Sequence, residues 1–412
     1  MIYADYNGSK KFPMKPFLLI ITCLLSFMVN ANNPQEIVEG NNKFAFKLCK
    51  ELKLDTGNNL FYSPFSISTA LAMTFAGART ETALQISQTM NFPLGGEFNS
   101  DYKNLLDNLN EGTKGKIKLN IANGLWAQKD LQFLDFYLDI VTSNYSSELK
   151  NVDFVDNTSR EKTRKDINAW VEQKTNDKIK DLLSQGDLNS MTRLVLVNAI
   201  YFYGDWETQF KKSATEPKDF SLLNKNQVKV PFMNEQEIYN YYEDSKIKAV
   251  EIPYKDYKAS MVIFLPNKKN GITEFEKSFD YKYYQDIIAA FKSHEVRLSM
   301  PKFQTTCRID LGTTLSQMGM PLAFSANADF SGMTGKRDLC ISEVIHQAFI
   351  NVDEKGTEAA AATAVVMKMT SIRMPDEPKI FNADHPFIFI IKDNTTGSVL
   401  FMGKIMNPKV SQ

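Results

Sequence analysis

The run Leu194-Val195-Leu196-Val197-Asn198-Ala199-Ile200-Tyr201-Phe202-Tyr203 carries no charged side chain. Successive residues of a strand face opposite ways. A run that is apolar on both parities therefore needs cover on both faces. It is expected to be a central strand with protein above and below.

Strand patterns follow it at 227–233, 237–243, 247–253 and 259–265, then at 295–310, 341–353, 387–392 and 399–405. Before it the spacing is helical: 36–54, then 63–76, 81–90, 99–111, 134–144 and a strongly charged stretch, 159–184, expected at the surface. A short strand is expected at 58–62 and a helix at 311–319. Ser63-Pro64 gives a cap followed by a first-turn proline, and the helix it opens is apolar nearly all round, so it should be buried. Helices in the first half and mostly antiparallel strands in the second make an α+β class. No linker or repeat divides the 412 residues, and 43% of them are hydrophobic, enough for one large core.

Lys10, Lys11 and Lys15 precede an apolar run, Phe17 to Val29, that ends in Val29-Asn30-Ala31. This is the pattern of a secretory signal peptide, so residues 1–31 are expected to be removed and 32–412 to form a single secreted, extracellular domain. Cys23 raises a bacterial lipoprotein anchor as a rival, which the continuation to Val29 and the preceding Thr22 disfavour. Residues 1–31 contain three of the 48 basic residues and, as Asp5, one of the 48 acidic ones. The remaining 45 and 47 favour neither nucleic acid nor an anionic membrane. Cys49, Cys307 and Cys340 remain, too few and too far apart for a disulfide framework or a metal pair. No metal or other cofactor is expected. Asn144, Asn157 and Asn394 lie in glycosylation sequons.

Catalytic motifs are missing. The histidines are His294, His346 and His385, and neither HExxH nor GxSxG occurs. Gly332 to Lys336 is too short for a phosphate loop. The chain is expected to bind rather than to catalyse.

The segment from Glu354 to Val366 is the most unusual. Alanine propensity offers a helix. As a strand it puts Thr357, Ala359, Ala361, Thr363, Val365 and Met367 on one face. The other takes Glu358, Ala360, Ala362, Ala364, Val366 and Lys368. Both charges share a face, the opposite one is small or apolar, and no proline interrupts 356–374. Residues 357–368 could thus lie inside a sheet over roughly 40 Å, with Gly356 as a permissive pivot.

This segment resembles the hinge of inhibitory serpins. Other stretches resemble the family in the same order: Asn58 to Ile67, Val197 to Trp206, Phe349 to Gly356, Asp384 to Phe389 and Leu400 to Lys404. The resemblance implies a serpin fold of three β-sheets with about eight or nine helices and an exposed reactive-centre loop at about 356–378. It implies a monomeric suicide inhibitor of serine proteases, and of cysteine proteases as an extension. A protease attacks the loop and forms an acyl-enzyme; the cleaved loop then inserts into the main sheet and traps it. The hinge would comprise Glu354, Gly356, Thr357, Ala359, Ala360, Ala361, Ala362 and Thr363. Ser63, Ser66, Asn198 and His346 would form the polar cluster where the sheet opens, with Trp206 where insertion begins. By family spacing the reactive bond is Thr370-Ser371, suited to elastase-like or subtilisin-like targets; Lys368-Met369 and Arg373-Met374 stay open for trypsin-like ones. Only Arg79 and Lys103 are basic over 79–110, so strong heparin activation is not expected. The alternative is a non-inhibitory serpin acting as carrier or chaperone, though Thr357 to Val366 holds no residue that would block insertion. A secreted storage or structural protein is the reading from outside the family.

Overall fold

The computed structural model describes residues 34–52, 57–112, 117–357 and 377–409. The expected signal segment 1–31 lies outside these residues. The first part of the chain builds α1 (Pro34–Glu51), β1 (Leu60–Tyr62), α2 (Pro64–Gly77), α3 (Thr80–Met90), α4 (Phe98–Gly112), β2 (Ile117–Gln128), α5 (Asp135–Tyr145), β3 (Glu148–Val152) and α6 (Asn157–Lys174). Then come β4 (Leu194–Asp205), β5 (Glu216–Ser221), β6 (Gln227–Glu243), β7 (Ile247–Pro253), β8 (Ala259–Pro266), α7 (Ile272–Ser278), α8 (Tyr281–Ala289), β9 (Lys292–Pro301), β10 (Phe303–Asp310), α9 (Gly312–Met318) and α10 (Ser331–Thr334). The last elements are β11 (Glu343–Val352), β12 (Gly356–Thr357), β13 (Lys379–Asn382), β14 (Phe387–Asp393) and β15 (Val399–Ile405).

The parity of β4 decides the layering. Leu194, Leu196, Ile200 and Phe202 enter the main core, whereas Val195, Val197, Ala199 and Tyr201 enter a second cluster with Trp126, Ile167 and Val171. Both faces are covered, as the uninterrupted apolar run requires. The six-stranded sheet runs β10-β11-β12-β4-β2-β3, with β11 also paired directly to β4. The nine-stranded sheet runs β1-β15-β14-β8-β7-β6-β9-β13, with β5 on β6. Buried α2 contacts β2 and β4 of the first sheet and β15 of the second. Ser63 caps α2, its hydroxyl accepting from the Ser66 N–H at 3.1 Å.

Several expected boundaries move. Two hydrogen-bonded sheets stand where three were expected, because β6 pairs with β9 over Phe232–Tyr241 and with β7 over Asn240–Glu243. Two neighbouring strand groups thereby share one path, and 227–233 and 237–243 are one strand. The stretch 295–310 divides into β9 and β10 at Pro301-Lys302, where Lys302 N–H turns away to Pro231 O. The charged helix ends at Lys174 rather than 184: Asn176 and Asp177 take left-handed conformations, and Ile179, Leu182 and Leu183 then turn inward as buried residues. The long strand β2 and the shorter β3, β5 and β13 were not expected, nor was α8. Ten α-helices occur among the described residues.

Candidate functional site

Strands β4 and β11 run parallel, paired from Val195 with Glu343 to Tyr201 with Phe349. Above Tyr201 they part, and β12 occupies the gap. Thr357 opposes Val352 on one side and Gly204 on the other; Gly356 opposes Asp205. Both of these pairings are antiparallel. A parallel seam is thus closed along most of its length and already wedged by a third strand at one end.

Close packing explains the residues at the wedged end. A Cβ on Gly356 would lie 2.1 Å from Gly204 O and 2.7 Å from Asp205 Cα, and its φ is +157°, so glycine alone lets the chain pass there. Thr357 is 0% exposed. Its hydroxyl shares a 2.7 Å hydrogen bond with the Tyr254 hydroxyl, and the Tyr254 ring stacks on Trp206 at 4.5 Å. Trp206 ties the turn before the wedge: Nε1 donates to Asp353 O at 3.0 Å, and its backbone N–H donates to Lys355 O at 2.9 Å. Glu354 is 4% exposed. Burial would raise its pKa, but Lys302 Nζ at 2.8 Å and the Thr215 hydroxyl at 2.9 Å hold the carboxyl below the ordinary carboxylate value.

Lower on the seam, one row of side chains crosses three strands. Asn123 on β2 opposes Asn198 on β4, which opposes His346 on β11. His346 is wholly buried. Its Nε2 accepts from the Ser63 N–H at 3.1 Å, so Nδ1 carries the proton and donates to Asn198 Oδ1. The Asn198 amide donates to Ser66 O at 3.0 Å, to Ser66 Oγ and to Asn123 Oδ1. The Ser63 hydroxyl donates to Leu400 O at 2.7 Å. Burial pushes the His346 pKa down to about 3. The imidazole is therefore neutral, which the Ser63 N–H pointing at Nε2 also demands.

Ser63, Ser66, Asn198 and His346 thus come together at the seam, while Glu354, Gly356, Thr357 and Trp206 gather at its wedged end. Ala359, Ala360, Ala361, Ala362, Thr363 and the reactive-bond candidates Lys368, Met369, Thr370, Ser371, Arg373 and Met374 lie outside the described residues. Asn123, Tyr254, Thr215 and Lys302 were missed. Asn123 follows from the register once β2 is recognised; the other three are far in sequence from what they touch and left no local signal. Among the described residues no group of three or more His, Cys, Asp or Glu is placed to hold a metal ion. The arrangement performs no bond chemistry of its own; it offers a seam, a wedge at one end and, lower down, a hydrogen-bond row that crosses the seam.

The sequence pattern of the family described as "Serpin (serine protease inhibitor)" matches residues 39–408. The chain is 40% identical to a leukocyte elastase inhibitor of Xenopus tropicalis over 373 residues, covering 89% of this chain and 97% of that protein. It is 39% identical to human Serpin B4 over 391 residues, covering 90% and 99%. A solved structure of Arabidopsis AtSerpin1, described as its native stressed conformation, superposes with a TM-score of 0.82 at 29% identity, covering 91% of this chain and 99% of that one. Sequence match, shared fold and a seam wedged at one end lead to one conclusion: the chain belongs to the serpins, a family of protease inhibitors rather than enzymes.

Proposed function

We propose that this protein is a secreted suicide inhibitor of serine proteases that traps its target by driving the cleaved loop into the seam between β4 and β11. One observation carries the reading: Gly356 and Thr357 are already threaded into that seam with antiparallel pairing on both sides. After cleavage within 368–374, the chain on the hinge side loses its tether to β13 and is free to extend the wedge. The seven parallel pairs from Val195–Glu343 to Tyr201–Phe349 would give way to antiparallel pairing on both sides of the new strand, and twelve inserted residues are worth on the order of 10 kcal/mol in hydrogen bonds. That is comparable with the stability of a whole domain, enough to displace a bound acyl-enzyme.

The target is an elastase-like protease cutting Thr370-Ser371. The leukocyte elastase inhibitors among its relatives and the intermediate size of Thr370 support this. Lys368-Met369 and Arg373-Met374 would serve a trypsin-like enzyme. Heparin plays no strong part: the Arg79 guanidinium is spent on Ala76 O and Ala78 O, and Lys103 pairs with Asp107. Secretion rests on the Phe17–Val29 pattern.

The test is incubation with elastase, subtilisin and trypsin, followed by denaturing gels and mass spectrometry of the released C-terminal peptide. An SDS-resistant complex is expected, with Ser371 heading the peptide; no complex with any of them would refute inhibition and favour a carrier. Ala361→Arg should turn the inhibitor into a substrate. N-terminal sequencing of protein recovered from the medium should begin at Asn32.

A further inference from the structure

The segment 175–187, which connects α6 towards β4, lies across the seam on the face opposite α2. Its Ile179, Leu182 and Leu183 share one buried cluster with Val195 and Val197 of β4 and with Ile345 and Phe349 of β11. The segment is tied on both banks. On the α6 side, which rests on β2 and β3, the Leu183 N–H donates to Asn168 Oδ1 at 2.8 Å. Its carbonyl accepts from Asn168 Nδ2 at 3.0 Å and from Arg164 Nη1 at 2.7 Å. On the far bank, beyond β11, Arg308 of β10 donates Nε to Leu182 O at 2.7 Å and pairs Nη2 with Asp187.

An inserted strand separates β4 from β11 by one further interstrand spacing, ~4.8 Å. A hydrogen bond does not survive that stretch. If the α6 ties hold, the Arg308 ties must break, and the α6 bank has three hydrogen bonds on one residue against two on the other. We propose that Arg308 is a positioning residue for loop insertion: its grip on Leu182 and Asp187 clamps the segment across the seam, and releasing that clamp is a step in opening the sheet. This deepens the inhibitory reading and rests on it. Arg308 would hold back spontaneous insertion and set how quickly the cleaved loop outruns deacylation.

The test separates the clamp from the inhibition. Full-length protein is incubated with a synthetic peptide of residues 357–368, and the rate of its annealing into the sheet is followed by native gel. Arg308→Gln should anneal the peptide about tenfold faster, equivalent to ~1.4 kcal/mol off the barrier. Asp187→Asn, which keeps the Leu182 bond, should show a smaller acceleration, and Arg308→Lys should restore part of the wild-type rate. Lys392→Met breaks the Lys392–Glu251 pair in the other sheet and should lower the melting temperature without changing annealing. An unchanged or slower rate in both Arg308→Gln and Asp187→Asn overturns the clamp. So does equal acceleration in Lys392→Met, or a wild-type protein that never anneals the peptide. Annealing that behaves as expected while no protease forms a stable complex would leave the clamp standing and refute only the inhibitory reading.

Discussion

Asn198 and His346 stand directly opposite each other across the parallel seam and share one side-chain hydrogen bond, the imidazole Nδ1–H donating to the amide oxygen. Any strand that enters the seam has to break it. The register of the wedge says what would take its place. Thr357 opposes Val352 and Gly204, and antiparallel pairing advances one chain as the other recedes, so residue 363 arrives opposite both His346 and Asn198. Thr363 carries a hydroxyl where its neighbours on that face, Ala361 and Val365, carry none. A hydroxyl can accept from the imidazole and donate to the amide oxygen at once. Thr363→Val is therefore expected to leave the uncleaved protein's melting temperature unchanged and to destabilise the cleaved form by about 1–3 kcal/mol, the cost of unpaired buried polar groups. Calorimetry of both forms checks it.

Acid should weaken the native state through His346. Its pKa falls from 6.5 in the unfolded chain to about 3 in the fold because burial penalises the charged ring. Between these values the unfolded chain binds the extra proton and the native state does not. The stabilising contribution is thus whole above pH 6.5, shrinks as pH falls and levels off near 3, with a total on the order of 5 kcal/mol. His346→Gln keeps a donor and an acceptor but cannot titrate. Denaturant titrations at a series of pH values should give a flatter acid limb for the variant, whatever its stability at neutral pH.

Legibility followed periodicity. The run 194–203 shows its two-sided burial because both parities are apolar, and β7 and β15 are bounded as their patterns predict. Strand β2 escaped because Lys118, Asn120, Asn123 and Gly124 interrupt its apolar residues, and with it went Asn123, the far end of the polar row. Gly124 packs beneath Trp170, where a Cβ would meet the ring at 3.0 Å, a reason invisible locally. Trp206 could be named from resemblance, but its partner Tyr254 lies 48 positions on, just past the end of β7 in the other sheet. Of the expected hinge, Glu354, Gly356 and Thr357 lie among the described residues; Gly356 stood out in the sequence as a lone glycine before a run of small side chains.

Gly356 should tolerate nothing larger. In Gly356→Val the new Cβ would strike the Gly204 carbonyl, and backbone cannot yield as a flexible side chain would. The wedge must leave the seam or the strands must part, at a cost of about 3 kcal/mol. Withdrawal would also expose the stacked Trp206. A lower melting temperature with a red-shifted tryptophan emission is expected; unchanged emission would mean that the wedge had stayed.

Glu343 opposes Val195 at the closed end of the seam, and its pH effect has the opposite sign to that of His346. Burial first, then Asp310 and Asp187, raise its pKa to about 7, against the opposing pull of Arg308. The native state thus holds a proton that the unfolded chain has already released by pH 4.5, its ordinary value. The protonated carboxyl favours the fold at low pH; this contribution falls away as pH rises from 4.5 through 7, leaving a like-charged cluster above. Glu343→Gln removes the charge and keeps the shape. It should stabilise the protein at pH 8 by about 1 kcal/mol, a value reduced for partial solvent screening, and change little at pH 5. Melting curves at the two pH values decide it: equal shifts at both would remove Glu343 as the titrating group, and destabilisation at pH 8 would reverse the assignment of its charge as unfavourable.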